Sequence, residues 1–272
     1  MKRILTILAG LAVSVSLMAQ AQIITKKEKL SDFTLKTLKV ALPGNEILDA
    51  ALRDAVKISW QITPYEFCTL EEFEKLKKSK DYYFMVPVKS VYKKTKLPGI
   101  MMLTVVKGAT GEKLDDMLEV ATIPVCPAEN PTGREAAFLP ALIDILQNNV
   151  SKSLDGKSPG VSARGSIPAE SRVIFCSDDL SAQIGEKESH SFFSSNSLVV
   201  DADTADEAFT NGIPGTLVSY TIAPAQPEKG ALCFKMLIDA RTHELYYYKK
   251  HKISKSAGAG FLKSDVRHIC RR

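Results

Sequence analysis

The sequence lacks the motifs that identify most enzymes and cofactor-binding proteins. It contains no GxSxG nucleophile motif, no P-loop, no GxGxxG turn and no HxH or HExxH metal motif. Its five cysteines form no CxxC pair, and five is an odd number, so a disulfide-dense scaffold is excluded while a single disulfide remains open. We therefore assign no catalytic, cofactor-binding or metal-ligating residue, and we expect a protein that is not an enzyme and carries no cofactor.

Long apolar runs are also absent, except at the start of the chain. Lys2 and Arg3 precede the apolar stretch Ile4–Met18, and Ala19-Gln20-Ala21 supplies a small-x-small cleavage site. This pattern predicts a signal peptide over residues 1–21, a mature start near Gln22, and a periplasmic or secreted protein. Because no second run of about 18 apolar residues follows, we do not expect an integral membrane protein.

A strong charge of one sign is missing as well. The formal net charge of +5 falls to +3 once the two positive residues of the signal peptide are removed, and no sustained basic run remains. This balance gives no support for nucleic acid as a partner.

The first half of the mature chain shows a clear order of predicted elements. We predict strands at Leu38–Leu42, Ile62–Phe67 and Tyr82–Val88, and helices at Glu46–Ser59, Leu70–Lys78 and Arg134–Leu154. Thr69 and Glu72 have the spacing of a capping box, as do Thr132 and Glu135. Pro140 is expected to restart or kink the third helix because proline lacks the N–H that a helix interior uses.

The same order returns after a stretch rich in Ser, Gly and Pro at Ser151–Ser171, which we predict to be a linker. Strands are predicted at Arg172–Cys176, Ser197–Asp201 and Leu217–Ala223, and a capping box at Thr204–Glu207. Three features recur at offsets of 133, 135 and 131 residues: a strand, a capping box and a glycine-led hairpin. We therefore predict an α/β protein with mixed sheets and two similar units in tandem, at 22–150 and 172–272. A single irregular α/β domain is the alternative.

The hairpin stretches are Gly99–Leu114, with a turn at 109–112, and Gly230–Leu245. They resemble the hairpin late in the N-terminal α/β domain of TolB, which CsgG-like envelope proteins share. The matching residues are Val106, Ala109, Gly111 and Glu112 in the first stretch, and Ile238, Asp239, Ala240 and Glu244 in the second. The second stretch lacks the glycine, and no propeller follows. The resemblance implies an exported, non-enzymatic accessory or scaffold domain of a bacterial envelope assembly.

A few residues remain as candidates for chemistry. Asp178 and Asp179 follow the strand Arg172–Cys176, where open α/β sheets place ligand groups, but we expect Ser177 to cap a helix with both carboxylates in its first turn. Tyr246–Tyr248 and the following Lys249, Lys250 and Lys252 are typical of nucleic-acid or glycan binding, or, as we expect, of a lysine-protected edge strand. Trp60 is expected to anchor the core. The histidines His190, His243, His251 and His268 show no ligand spacing.

These features favour an envelope protein that acts through contacts with another envelope or periplasmic protein. The alternatives are a periplasmic protein that binds a small molecule or glycan in a cleft between the units, and a hydrolase. The oligomeric state is left open.

Overall fold

The computed structural model describes residues 30–91, 98–111, 114–155, 167–184, 192–193 and 195–271. The predicted signal peptide, part of the predicted linker and His190 lie outside these residues. In the described part of the chain, no helix is both long and apolar enough to cross a membrane.

The chain forms two α/β units. The first contains β1 (Thr37–Ala41), α1 (Glu46–Ser59), β2 (Tyr65–Cys68), α2 (Leu70–Leu76), β3 (Tyr82–Val91), β4 (Pro98–Lys107), β5 (Leu118–Pro127) and α3 (Glu135–Leu154). The second contains β6 (Arg172–Cys176), β7 (Ser197–Val200), α4 (Ala202–Thr210), β8 (Thr216–Ile222), β9 (Leu232–Asp239), β10 (Leu245–Lys252) and α5 (Lys263–Cys270).

Both units have the same sheet topology. The strand order is β2-β1-β3-β4-β5 in the first sheet and β7-β6-β8-β9-β10 in the second. In each sheet the first three strands of the unit run parallel, and the last two add as antiparallel hairpins. The predicted fold class, α/β with mixed sheets in two similar units, is confirmed.

Apolar spacing explains the first unit's helices. In α1 the residues Leu52, Ala55 and Val56 recur at helical spacing and are buried, while Asn45 caps the helix by accepting from the N–H of Leu48 at 3.1 Å. The capping box of Thr69 and Glu72 is present at the start of α2.

Two of the other capping predictions are wrong. The side chain that caps α4 is Asp201, which accepts from the N–H of Thr204 at 2.8 Å. The helix therefore begins before the predicted box, since the Asp carboxylate is placed to take a free helical N–H.

At α3, Arg134 occupies the capping position without a side-chain hydrogen bond. The helix passes through Pro140 without restarting and extends four residues into the predicted linker, to Leu154.

The hairpin turn of the first unit is longer than predicted. β4 ends at Lys107 and β5 begins at Leu118, with a 3-10 turn at Leu114–Asp116 between them. Residues 112–113 of this connection lie outside the described part. In the second unit the connection is tight, because the Asp239 carboxylate accepts from the N–H groups of Arg241 and Thr242 at 2.9 and 2.7 Å.

One core joins the two units. It contains buried side chains from the inner face of each sheet together with α1, α3 and α4, among them Val56, Phe138, Phe209, Val218 and Met236. Smaller clusters lie on the outer faces, under α2 around Phe73 and under α5 around Val266. The helix α3 thus packs against its own sheet and also against the second unit.

By position in the chain, α4 is the counterpart of α2, and α5 is the counterpart of α3. The first unit contributes its α1 and α3 face to the shared core, whereas the second contributes the face that carries α4. The two units therefore pack through unlike faces.

Candidate functional site at the junction of the two units

The loop before α3 directs one arginine into the second unit. Gly133 has a φ of +91°, a conformation that side-chain-bearing residues rarely adopt. The Glu135 carboxylate accepts from the N–H of Gly133 at 3.1 Å and from the hydroxyl of Thr132 at 3.1 Å. These bonds fix the backbone on both sides of Arg134, whose side chain then crosses the junction.

Arg134 is buried among acceptors of the second unit. Its Nη1 lies 3.1 Å from Oδ2 of Asp179, and its Nε lies 2.8 Å from Oδ1 of Asp206. Its Nη2 donates to the carbonyl oxygen of Ser219 at 3.4 Å. Three nitrogens of one guanidinium therefore each meet an oxygen that belongs to a different element of the second unit.

Burial and neighbouring charges shift the pKa values of this cluster in opposite directions. Burial alone would lower the pKa of Arg134, but the charge of Asp179 and the hydrogen bond that Arg134 donates to Asp206 outweigh it, so the pKa is raised. Burial raises the pKa of Asp206, because the partly dehydrated carboxylate loses more to desolvation than it gains from Arg134. The cation of the cluster is thus permanent, and Asp206 is the member that protonates more readily than a free aspartate.

Aromatic rings continue the junction beside the ion pairs. Phe138 of α3 stacks on Phe209 with ring centroids 4.1 Å apart, and on Tyr220 with centroids 4.2 Å apart. The Tyr220 hydroxyl donates to the carbonyl oxygen of Val125 at 2.7 Å. The Cζ atom of Arg134 lies 5.4 Å from the Phe138 centroid and 5.6 Å from the Tyr220 centroid, within cation–π range.

A second polar contact lies further along α3. Nδ1 of His243 is 2.6 Å from Oδ2 of Asp144, and the imidazole lies over Phe209 with centroids 5.9 Å apart. His243 has a φ of +56°, a strained value for a histidine that this contact helps to hold. The first unit therefore reaches the second at two points of α3, with the stacked rings between them.

The two carboxylates after β6 have different roles. Asp178 is exposed, whereas Asp179 is 2% exposed and belongs to the Arg134 cluster. The expectation that both lie in the first turn of a helix capped by Ser177 is wrong, since only a 3-10 turn forms at Ser177–Asp179. Its short length leaves Asp179 directed inwards, where Ser219 and Thr221 donate to it.

The cysteines and histidines do not combine into an activated pair in the described chain. His251 is opposite Cys233 in the β10–β9 ladder, but burial raises the pKa of the Cys233 thiol to about 11. Burial also raises the pKa of Cys68 to about 11 and of Cys126 to about 12. These thiols are protonated at neutral pH and so are weak nucleophiles. Among the described residues, no group of three or more His, Cys, Asp or Glu side chains is placed to hold a metal ion.

The aromatic and basic run at Tyr246–Lys252 belongs to an edge strand, as predicted. β10 is the last strand of its sheet, and Tyr247 and Tyr248 are buried on opposite faces. Trp60 is a core residue, as predicted, and its Nε1 donates to Thr63 Oγ1 at 2.9 Å.

Arg134 and Asp206 were not singled out in the sequence. Arg134 resembles an ordinary residue at a helix start, and Asp206 lies inside an apparent capping box. Comparisons with protein-family models, with curated proteins and with solved structures found no match.

Proposed function

We propose that the protein is an exported, non-catalytic interaction or scaffold module of a bacterial envelope. The export part of the proposal rests on the positive and apolar start of the sequence and its Ala19-Gln20-Ala21 site. The envelope part rests on the resemblance of the hairpin turns to those of TolB and CsgG-like domains, which is an analogy of fold.

The observation that carries the interaction role is the solvent face of α1 and of the turn before β1. Leu35, Ile47 and Ile58 expose 84%, 78% and 66% of their surface. Ile47 and Ile58 are eleven residues apart on α1, close to three full turns, so they lie on the same side of the helix. The exposed Asp54 lies between them on that side, and we infer that the two isoleucines are apolar contact points for another protein.

Leu35 lies in the 3-10 turn that packs beside the end of α1. Phe33, in the same 3-10 turn as Leu35, makes an edge contact with Trp60 at 6.4 Å between ring centroids, and Trp60 directly follows α1. We name the set Leu35, Ile47 and Ile58 the α1 surface. Its partner is expected to be another exported protein that contributes apolar side chains, so that binding depends little on salt.

The test is isolation of the tagged full-length protein from its own cell envelope, with partners identified by mass spectrometry. The variant Leu35→Ser/Ile47→Ser/Ile58→Ser is expected to lose a partner that the native protein retains in moderate salt. Ile213→Ser, which changes an exposed aliphatic residue of the second unit, is the matched control and should retain it. The proposal would be contradicted if the native protein is isolated without any partner, or if the triple variant retains as much of the partner as the native protein does.

A notch between the units favours a second candidate, binding of a glycan or small polar molecule. It is lined by Pro98, Glu129 and Asn130 of the first unit and by Ala225 and Gln226 of the second. One carboxylate and two carboxamides are groups that bind sugar hydroxyls through hydrogen bonds.

Thermal unfolding in the presence of mono- and oligosaccharides tests this candidate, since a ligand at 100 times its Kd stabilises the folded protein by about 2.7 kcal/mol. Glu129→Ala should abolish the shift, and Glu228→Ala, nearby on the surface, should not.

A further inference from the structure

The Arg134 cluster occupies the place where open α/β sheets bind their ligands. In such sheets the ligand crevice lies beyond the carboxyl ends of the strands, where the chain turns to opposite sides of a central strand. In the second sheet β6 has β7 on one side and β8 on the other. Asp179 follows the carboxyl end of β6, and Ser219 and Thr221 lie on β8. The group that fills this position is the guanidinium of Arg134, which belongs to the first unit.

The acceptors are held in place by the second unit itself. Ser219 Oγ donates to Oδ2 of Asp179 at 2.6 Å, and the N–H of Thr221 donates to Oδ1 at 2.9 Å. Asp179 is 2% exposed and Ser219 is fully buried. The carboxylate is therefore oriented by hydrogen bonds that do not involve Arg134, so its position does not depend on the cation that it binds.

The geometry fits a guanidinium group better than it fits an ammonium group. The three acceptors contact three different nitrogens, at 3.1 Å for Asp179, 2.8 Å for Asp206 and 3.4 Å for Ser219. An ammonium group has one nitrogen and cannot reproduce that spread. The Phe138 and Tyr220 rings add contacts with the cation, and a planar, weakly hydrated cation is the kind that such rings favour.

We propose that the carboxyl edge of the second sheet is a binding site for a guanidinium group, which Arg134 fills within the same chain. Docking of the first unit on the second is then the binding of a tethered ligand. A free guanidinium compound is expected to enter the site once the Arg134 side chain has been removed.

The experiment is chemical rescue of Arg134→Ala. This variant is expected to unfold at a lower temperature than the native protein, because Asp179 and Asp206 are left without their cation. Low-millimolar guanidinium sulfate or methylguanidinium should raise its Tm saturably, by roughly 3–6 °C for a chain of this size. The native protein should show no such rise, because the site is already filled.

Controls separate the site from general salt effects. Ammonium sulfate at matched concentration should give no saturable rise, and the double variant Arg134→Ala/Asp179→Asn should not respond to guanidinium. Arg53→Ala removes an arginine that lies over Phe67 on the surface of the first unit, and it should not gain a guanidinium response.

The proposal is overturned if ammonium and guanidinium act equally on Arg134→Ala, or if the double variant is rescued as well. If Arg134→Ala is unfolded at room temperature, the yield of refolding with and without guanidinium sulfate is the readout. A higher yield with guanidinium supports the site, and equal yields overturn it.

Discussion

Gly108 shows how closely the backbone is packed at the end of β4. Its N–H donates to the carbonyl oxygen of Tyr82 at 3.0 Å. A Cβ atom at this position would lie 1.8 Å from the carbonyl oxygen of Ser79, a backbone atom that cannot move away alone. Glycine is therefore required here by the lack of space.

Gly108→Ala is accordingly expected to lower the free energy of unfolding by about 1–3 kcal/mol, the usual cost of overpacking. Gly258→Ala is the control, since nothing lies within 4 Å of the added Cβ and its φ is not positive. Urea unfolding of both variants checks the prediction. Equal stability of the two variants would contradict the close contact at Gly108.

Asp265 anchors the last helix through several donors. It is 1% exposed and accepts from the Tyr247 hydroxyl at 2.9 Å, from Lys249 at 2.7 Å and from the N–H of Leu262 at 2.9 Å. It also pairs with the fully buried Lys235. Burial alone would raise the pKa of Asp265, but the hydrogen bonds from Lys235 and Lys249 outweigh it and lower the pKa from 3.8 to about 2.

Because the folded protein lowers this pKa, the ionised carboxylate stabilises the fold above the unfolded pKa of 3.8. That stability is lost as the pH falls through the interval from about 4 to about 2, and it amounts to about 2 kcal/mol. Urea unfolding between pH 6 and pH 2 should show this loss in the native protein. Asp265→Asn should lack that part of the acid dependence, and an unchanged dependence in the variant would refute the assignment.

At the scale of single elements, α4 tests which residue caps a helix. Asp201→Ala is expected to cost about 1 kcal/mol, because the N–H of Thr204 loses its acceptor. Thr204→Ala should cost less, since the side chain of this exposed residue does not cap α4. Thermal unfolding of the two variants measures both losses of stability. A larger loss for Thr204→Ala would show that Thr204 caps the helix, as the sequence predicted.

Elements with strong local signals were predicted well. The apolar spacing of α1 is sufficient to give its bounds, Glu46–Ser59, and the strand Arg172–Cys176 matches β6. The capping box at Thr204 failed because Asp201, three residues earlier, competes for the same role. In the second unit the segment that corresponds to α1 begins with only a 3-10 turn, so the helix expected after Ser177 does not form at that point.

At the scale of the whole molecule, the main hydrophobic core is formed by side chains of both units. Phe138 of the first unit is fully buried between Phe209 and Tyr220 of the second. Because the stack belongs to both units, we expect them to unfold together in one cooperative transition.

Fluorescence of Trp60 reports on the first unit, and amide hydrogen exchange in β8–β10 reports on the second. The two probes are expected to give the same urea midpoint in the native protein. Phe138→Ala should lower both midpoints, with a loss of about 3–5 kcal/mol in the free energy of unfolding. Separate midpoints in the native protein would show that the units fold independently.

The junction itself was beyond sequence reasoning. The Arg134–Asp179 pair joins residues 45 positions apart, and the contact exists only because α3 lies across the second unit. A single arginine at a helix start carries no local signal for such a partner. Asp179 was noticed because it follows a strand, but its burial depends on a helix that does not form.

The packing of unlike faces also bears on how such a chain arises. If two identical units were joined in this way, their interface would be heterologous (head-to-tail) rather than two-fold symmetric. Unless it closes into a ring, a heterologous interface can add further copies without limit. The second unit has departed from the first where a third copy would dock: α5 spans only Lys263–Cys270, against the twenty residues of its counterpart α3. A further copy docking on this face of the second unit would therefore meet a helix less than half as long as the one through which the first unit holds the second.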